Sequence, residues 1–284
     1  MRESGILMHI TSLPGPYGVG TMGKQAYEFV DFLHASGQRC WQILPLTPTG
    51  YGDSPYQSCS TFAGNHYLID LDILAGQGLL TEQELAGVSW GENEGQVDFG
   101  LLYKERTRLL KIAHGRFAET EEYRDFVRDN SIWLQDYALF MALKDHQNGK
   151  KWTEWDIKYK TPTESTKKQA FIELEPSVNY YCFVQFIFFK QWYELKKYAN
   201  ANDIQIIGDI PIFVSPDSAD AWANKELFQL DDDGYPTVIA GVPPDYFSKT
   251  GQMWGNPLYN WEYHKKTGYT WWIARIRHQL TQTD

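Results

Sequence analysis

Cysteine is scarce in this 284-residue chain, and its three cysteines are far apart. Cys40, Cys59 and Cys182 form neither a disulfide framework nor a CxxC metal motif. The seven histidines are also scattered, and no two of them are spaced i, i+4 on a helix. The sequence therefore predicts no metal site, and it shows no cluster that would call for a metal cofactor.

Long apolar runs and an excess of basic residues are also absent. No apolar segment approaches the ~18 residues of a membrane span, and residues 1–5 lack the n-region and h-region of a signal peptide. The formal net charge of −10 argues against a nucleic-acid binder, which needs a basic patch. We expect a cytoplasmic protein that binds neither a membrane nor nucleic acid.

Aromatic residues, in contrast, are abundant, at 15% of the chain with 11 Trp and 18 Tyr. A large core would account for them, because each ring buries much area. A carbohydrate cleft would account for them equally well. Sugar rings present C–H faces that stack on aromatic planes, while Tyr hydroxyls and Trp N–H groups bond sugar hydroxyls. Composition alone does not choose between these two interpretations.

The order of apolar segments indicates an α/β fold. Residues 5–11 and 40–46 have the pattern of buried strands, and residues 23–37 between them show helical spacing. This β-α-β order predicts a parallel sheet with a right-handed crossover. A third strand is predicted over 204–214, after a helix over 183–199.

The second and third predicted strands are separated by far more chain than an ordinary βα connection. Helical patterns over 103–117 and 121–146 indicate a mostly helical insertion. We therefore divide the chain into 1–50 with the first strands, 51–180 as the inserted helical subdomain, and 181–284 as the continuation of the sheet.

A (β/α)8 barrel needs ~250 residues, so the chain outside the insertion has room for only about half of one. If the fold class is an α/β TIM barrel with helical insertions, the barrel is incomplete here, with about its first three strands present. An open doubly wound sheet is the alternative. The loop over 11–20 after its first strand, however, contains no GxGxxG phosphate-binding motif.

Two segments carry polar groups after or within a predicted strand. Residues 50–57 come after the second strand, at the end that forms the active-site face of a barrel; an ordinary turn explains the same residues. Asp209 lies within the predicted third strand, where a carboxylate is costly unless it is paired or functional. A pocket-facing carboxylate and a structural ion pair are both consistent with it.

Two further segments resemble the parts of a ligand cleft. Residues 240–251 contain a Pro-Pro pair flanked by glycines, as expected of a lid, although ordinary surface loops share this composition. Residues 252–261 place three aromatics around a Gly-Asn-Pro turn. They are expected either to stack on a ligand or to pack against the body of the protein.

Five runs together resemble a known family. They are S-P-Y-Q-S (54–58), F-A-G-N-x-Y-L-I-D-L (62–71), G-D-I-P-I-F-V (208–214), G-V-P-P-D-Y-F (241–247) and G-Q-M-W-G-N-P (251–257). In this order and at this spacing they resemble the N-terminal portion of amylomaltases, the disproportionating 4-α-glucanotransferases of glycoside hydrolase family 77. The resemblance covers residues 4–284.

The resemblance implies a (β/α)8 TIM barrel with helical insertions. It also implies a retaining transglycosidase that moves an α-1,4-glucan segment to the 4-hydroxyl of an acceptor glucan or glucose. The partners implied are maltooligosaccharides, amylose and glycogen-derived dextrins, and no cofactor is implied. Two alternatives remain, namely a non-catalytic glucan-binding remnant and an α-glucan hydrolase that releases sugar to water.

The resemblance also assigns binding residues. Tyr56 matches the tyrosine that stacks on the donor sugar, Asp209 an aspartate that bonds sugar hydroxyls, and Trp254 a glucan-contacting aromatic. Tyr51 matches an outer contact, and Asn256 is expected to bind substrate. The implied lid runs from 241 to 251, and its named residues are Gly241, Pro243, Pro244, Phe247 and Gly251, with Asp245 and Tyr246 facing the channel.

No catalytic residue is assigned within the chain. In the family the nucleophile is the Asp of an R-I-D-H motif on the fourth strand, and the nearest string here is R-I-R-H at 275–278, on a helix predicted over 269–280. The nucleophile and the acid/base are expected C-terminal of Asp284. We therefore expect no turnover by this chain alone. An open sheet edge also predicts poor solubility or a molten state.

Overall fold

The computed structural model describes every residue except Met1, Tyr51, Glu92 and Glu94. Three short strands, β1 (Gly5–Leu7), β2 (Cys40–Gln42) and β3 (Gln205–Ile207), form a parallel sheet in the order β1-β2-β3. The predicted parallel arrangement is confirmed. The strands are much shorter than the apolar runs that predicted them.

One face of this sheet is covered by helices. The central residues Trp41 and Ile206 are both fully buried, and the Trp41 ring packs edge-on against Phe29, with centroids 5.1 Å apart. The opposite face is open, with Leu7 56% and Ile207 44% exposed. Because successive side chains of a strand point to opposite faces of the sheet, Trp41 and Ile206 face the helices, whereas Leu7 and Ile207 face solvent.

The prediction that the third strand continues to residue 214 is wrong. After Ile207 the chain stays irregular, and its carbonyl groups bond side chains instead of a neighbouring strand. Arg275 donates to the Pro211 carbonyl, Tyr259 to that of Ile212 and Asn256 to that of Val214. Asp209 therefore lies just past the strand and not inside it.

Helix α1 (Lys24–Ala35) connects β1 to β2 and buries Ala26, Val30 and Leu33. The segment between β2 and β3 is mostly helical, as predicted. Its α-helices are α2 (Leu71–Gly76), α3 (Glu82–Ala86), α4 (Phe99–Arg116), α5 (Glu121–Asp129), α6 (Leu134–His146), α7 (Ile157–Lys160), α8 (Glu164–Glu173) and α9 (Glu175–Ala201).

The single helix predicted over 121–146 is in fact two helices, α5 and α6. Asn130 separates them, because its side chain donates to the Phe126 carbonyl at 2.9 Å and accepts from the Trp133 indole at 3.0 Å. An Asn side chain that bonds nearby backbone competes with helix continuation in this way.

Helix α9 is the longest and packs against α6, α1 and β3. It begins at Glu175, earlier than the predicted residue 183. Pro176 is compatible with this start, because proline is tolerated in the first turn of a helix. The predicted domain boundary between residues 180 and 181 falls inside α9. Its rings at Phe183, Phe188 and Trp192 are fully buried, so for them the core interpretation of the aromatic content is correct.

The chain after β3 forms α10 (Ala219–Ala223), a β-hairpin, α11 (Trp261–Lys266) and α12 (Thr270–Gln282). Helix α12 matches the helix predicted over 269–280. The antiparallel hairpin of β4 (Ile239–Val242) and β5 (Gln252–Pro257) was not predicted. Short 3-10 turns occur at Ile10–Ser12, His66–Leu68, Trp152–Glu154 and Lys225–Leu227. Among the described residues, no helix is both long and apolar enough to cross a bilayer.

Candidate functional site

Two of the residues singled out in the sequence meet at the carboxyl end of the parallel sheet. The Tyr56 hydroxyl donates a hydrogen bond to Asp209 Oδ2 at 2.6 Å. Tyr56 comes from the loop after β2, and Asp209 follows β3. The carboxyl ends of parallel strands share one edge, where ligands bind in α/β folds. Tyr56 is 44% exposed, so this pair is open to solvent.

The hydrogen bond also raises the pKa of Tyr56. The Asp209 carboxylate stabilises the phenol form, and together with partial burial it raises this pKa to about 12. Tyr56 therefore stays a neutral phenol over a wider pH range than a free tyrosine. Such a pair offers hydrogen bonds to hydroxyl groups without placing a second charge on the face.

A small hairpin-like loop holds Tyr56 in place. Thr49 and Ser58 form an antiparallel bridge, and the Gly50 amide donates to the Gln57 carbonyl at 3.3 Å. The Tyr56 amide donates to Ser54 Oγ at 3.3 Å. The turn interpretation of this segment is thus correct for its backbone. Tyr51, the predicted outer contact, lies outside the described residues.

Gln57 connects this loop to strand β5. Its side-chain amide donates to Asn256 Oδ1 at 3.0 Å and, more weakly, to the Trp254 carbonyl at 3.5 Å. Asn256 is only 3% exposed, and its own amide donates to the Val214 carbonyl at 2.9 Å. Asn256 therefore links the three segments of the face from beneath. A direct contact between Asn256 and substrate stays a prediction.

Trp254 adds an exposed ring next to these polar groups. It is 43% exposed, and its centroid lies 6.0 Å from that of Phe213, in the segment after Asp209. The indole N–H donates to Gln252 Oε1 at 3.1 Å, which fixes the ring's edge. We call Tyr56, Asp209 and Trp254, with Gln57 and Asn256 beneath them, the Tyr56 face.

The segment that carries Asp209 is held by residues that the sequence analysis did not assign. The Tyr259 hydroxyl donates to the Ile212 carbonyl at 2.8 Å, and Arg275 donates to that hydroxyl at 3.1 Å. The Arg275 guanidinium lies over the Trp271 and Trp272 rings, 5.4 and 5.1 Å from their centroids. Tyr259 and Arg275 thus provide hydrogen-bond donors to carbonyl groups that, among the residues that the structure describes, no neighbouring strand pairs with.

Some of these contributors left a signal in the sequence. Gln57 adjoins Tyr56 inside the S-P-Y-Q-S run, and Arg275 opens the R-I-R-H string. Arg275 is only 2% exposed, and a buried charge needs partners. Its place on the inner face of α12 became apparent only with the helix in three dimensions.

The predicted lid is the outer part of the β4–β5 hairpin. Asp245 Oδ1 accepts from the amides of Phe247 and Ser248 at 2.9 and 2.8 Å, so the carboxylate stabilises the turn that follows Pro243 and Pro244. Tyr246 and Phe247 are 95% and 87% exposed, and their ring centroids are 5.6 Å apart. These two rings extend into solvent.

The backbone geometry favours glycine at two positions of the predicted lid. Gly241 lies within β4, where an added Cβ would be 2.5 Å from the Gln252 carbonyl oxygen, so it permits close approach of the strands. Gly251 has φ +76° and leads into β5. The left-handed conformation favours glycine there. A pivoting role for either residue stays a prediction.

The Tyr56 face combines a carboxylate, a phenol hydroxyl and an exposed indole. These groups suit a ligand that has both hydroxyl groups and apolar ring faces. Among the described residues, no three His, Cys, Asp or Glu side chains are grouped as metal ligands.

Comparison with known proteins places the chain in a family. The profile of glycoside hydrolase family 77, described as 4-alpha-glucanotransferase, matches residues 8–284. The chain is 50% identical over 287 residues to a 4-alpha-glucanotransferase of Streptococcus pneumoniae, covering 100% of this chain and 57% of that protein. It is 48% identical over 286 residues to one of Aquifex aeolicus, covering 100% of this chain and 58% of that protein.

Solved structures agree with this placement. The amylomaltase of Streptococcus agalactiae in complex with acarbose superposes with a TM-score of 0.96 at 46% identity, covering 100% of this chain and 58% of that one. The amylomaltase of Corynebacterium glutamicum gives a TM-score of 0.71 at 17% identity, over 99% of this chain and 40% of that one, which shows the shared fold. The chain thus spans somewhat more than half the length of the curated relatives named here, and it belongs to the 4-alpha-glucanotransferase family.

Proposed function

We propose that this chain supplies the glucan-binding face of a 4-α-glucanotransferase. The observation that carries the proposal is the hydrogen bond between Tyr56 and Asp209. The exposed ring of Trp254 is linked to this pair through Gln57, which bonds the Trp254 carbonyl, and through Phe213, whose ring lies 6.0 Å away. In this proposal the three parallel strands are the first of a (β/α)8 barrel, and residues 51–180 are its helical insertion. The amylomaltase of S. agalactiae was solved with acarbose bound, which supports an α-glucan ligand.

Binding would combine stacking and hydrogen bonding. The Trp254 ring provides a plane for a sugar face, and Asp209 with the Tyr56 hydroxyl fixes the orientation of sugar hydroxyls. The maltooligosaccharides, amylose and glycogen-derived dextrins are then recognised through features that they share, namely linked neutral rings with regularly placed hydroxyls.

The hairpin that carries Tyr246 and Phe247 would act as a lid. When it closes over a bound donor it excludes water, so that an incoming sugar hydroxyl reacts in place of water. Transfer and hydrolysis differ only in this competition. The exposed rings of the lid are therefore the feature that favours the transferase over the α-glucan hydrolase.

The chemistry proposed for the whole enzyme is retaining transfer of an α-1,4-glucan segment to a 4-hydroxyl. It requires a nucleophilic carboxylate and an acid/base carboxyl group ~5–5.5 Å apart. The 284 residues contain no R-I-D-H motif, and the R-I-R-H string lies on α12 with its first arginine buried. We therefore propose that this chain alone binds glucan without turnover.

Incubation with maltotriose separates the candidate activities. Longer oligomers together with glucose show transfer, glucose and maltose without elongation show hydrolysis, and unchanged maltotriose shows neither. We expect unchanged maltotriose from the 284-residue chain. Elongated products from this chain would show that the nucleophile lies within it and overturn that part of the proposal.

Calorimetric titration with maltoheptaose tests the binding face directly. We expect Tyr56→Ala and Trp254→Ala each to weaken binding by about tenfold or more, as for central aromatic contacts. Tyr103→Ala serves as the matched control, because Tyr103 is 65% exposed on α4. Equal affinity for all three variants would contradict the assignment of the Tyr56 face.

A further inference from the structure

A cavity of about 270 Å³ lies apart from the Tyr56 face. It is partly open to solvent and is lined by the loop after β2, by the start of α6, by α10 and the turn after it, and by α11 and α12. None of Tyr56, Asp209 and Trp254 lines it. The volume is just below the range of about 300–1,000 Å³ typical of small-molecule pockets, so it suits a ligand of one or two rings.

Aromatic side chains form much of the cavity wall. Phe62, Trp133 and Trp271 all line it. The Phe62 and Trp133 rings are stacked, with centroids 6.2 Å apart and planes 11° apart, whereas the Trp271 ring meets Phe62 edge-on at 6.3 Å. These rings pack mainly on one another, and Phe62 and Trp133 are each only 6% exposed, so they give the cavity a rigid apolar wall.

Polar groups share the cavity with these rings. Asn224, Glu226 and the phenol of Tyr263 are part of the lining. The Trp271 indole N–H is buried and has no hydrogen-bond acceptor within the described part of the chain. This N–H is covered by protein atoms, so the polar groups that the cavity offers to a ligand are those of Asn224, Glu226 and Tyr263.

The charge of the cavity restricts its ligand further. The described residues that line it include Asp136, Asp220 and Glu226 and no basic side chain. Asp136 pairs with Lys167, and Asp220 accepts from the Thr61 amide and hydroxyl, both at 2.8 Å. Glu226 adds a surface carboxylate. Phosphorylated ligands are therefore disfavoured, and a neutral polyhydroxyl ligand fits the mixture of carboxylates and rings.

We propose that this cavity is a second saccharide site, which takes one or two terminal units of a neutral α-glucan. The choice of an α-glucan rests on the proposed function, whereas the site itself rests on the cavity. A glucan held here and one held at the Tyr56 face would occupy different parts of the protein. The chain would then bind two short oligosaccharides at once, or one long glucan at two points.

Filling the cavity tests the proposal. Ala274 lines it from α12, so Ala274→Trp places a bulky ring where the ligand would lie. Ile276→Trp is the matched control, because Ile276 is 45% exposed on the same helix and does not line the cavity. Thermal unfolding of each variant verifies that the protein remains folded. Calorimetric titration with maltose then counts sites and affinities.

We expect wild type and Ile276→Trp to bind maltose at two sites, and Ala274→Trp to retain one. Tyr263→Phe, which removes only a hydroxyl, is expected to weaken the second site by about two- to tenfold, as for one neutral hydrogen bond. It serves as the gentler variant if Ala274→Trp unfolds. Binding of glucose 1-phosphate as tight as that of maltose would overturn the neutral-saccharide assignment.

The failures are distinguishable. Loss of all maltose binding in Tyr56→Ala, with no change in Ala274→Trp and Tyr263→Phe, overturns the second site and leaves the proposed function intact. If Ala274→Trp loses all maltose binding and Tyr56→Ala loses none, the site in the cavity is supported and the assignment of the Tyr56 face is overturned. Absence of maltose binding in wild type overturns both.

Discussion

The two ends of the β4–β5 hairpin differ sharply. Its base contains Asn256, which is 3% exposed and bonded to both Gln57 and Val214. Its tip contains Tyr246 and Phe247, which are 95% and 87% exposed. One hairpin thus anchors the candidate site at one end and holds unpacked rings at the other. Tightly bonded and solvent-exposed residues are therefore neighbours along a single pair of strands.

Packing explains this difference. Buried hydrogen-bonded groups at the base lose their partners if the base moves, whereas exposed rings at the tip lose little. Substitutions at the base should therefore alter stability, and substitutions at the tip should alter ligand binding alone. The following four tests examine this contrast through the free energy of unfolding, measured by urea denaturation.

The largest effect is expected from Asn256→Ala. It removes the link between the Tyr56 loop and the segment after β3, and it leaves the buried Val214 carbonyl without its donor. We expect a loss of about 3 kcal/mol. Gln252→Ala, at an exposed position of the same strand, should cost less than about 0.5 kcal/mol. Similar losses for both variants would refute the anchoring role.

Gly251→Ala tests the boundary between base and tip. Gly251 has φ +76°, and an added Cβ would be 2.6 Å from the Val242 carbonyl oxygen. Gly255 has φ +79° but no atom within 4 Å of such a Cβ. The left-handed conformation costs each alanine about 1–2 kcal/mol. Because only the Cβ at Gly251 meets another atom, the loss of unfolding free energy should be about 1 kcal/mol larger for Gly251→Ala than for Gly255→Ala. Equal costs would show that the clash is relieved.

Tyr56→Phe removes the hydrogen bond to Asp209 and should cost about 1 kcal/mol near neutral pH. The pKa of Tyr56 is about 12 in the folded protein, against about 10 in the unfolded chain. A raised folded pKa gives stability that is complete below the unfolded pKa and lost as pH rises through the folded one. The difference between wild type and variant should therefore narrow between about pH 10 and about pH 12. A difference that stays constant over this range would contradict the assigned bond.

The smallest effect is expected from Tyr246→Ala combined with Phe247→Ala. Because both rings lie in solvent, the free energy of unfolding should change by less than about 0.5 kcal/mol. Affinity for maltoheptaose should nevertheless fall, since a closing lid would bring these rings onto the ligand. A stability loss as large as that of Asn256→Ala would show that the tip is packed in solution.

The sequence predicted the parallel strands better than the irregular segment that follows β3. Residues 5–11 and 40–46 contain β1 and β2, and the β-α-β order was enough to make them parallel neighbours. The apolar run over 204–214 was misread as one strand because hydrophobicity alone does not reveal where neighbours end. In that run only Gln205–Ile207 pairs with β2, and the rest depends on side chains distant in sequence.

The candidate site was predicted in part for a similar reason. Tyr56, Asp209 and Trp254 were found through their motifs. The structure joins Tyr56 to Asp209 directly and connects the Trp254 backbone to the Tyr56 loop through Gln57. Arg275 and Tyr259 bond the carbonyls of Pro211 and Ile212, and a single sequence does not reveal which distant carbonyl a side chain will bond, even where, as for Arg275, a motif draws attention to the residue. The β4–β5 hairpin was also missed, because its Pro-Pro pair and flanking glycines are typical of loops.

Asp209 occupies a stretch of backbone whose shape is set by individual side chains. Arg275, Tyr259 and Asn256 each hold one carbonyl of that stretch, so its course is adjustable one residue at a time. Specificity in such an arrangement can evolve or be engineered from a distance. We expect a substitution of Arg275 on α12, outside the Tyr56 face, to displace the segment after Asp209 while the parallel strands keep their pairing.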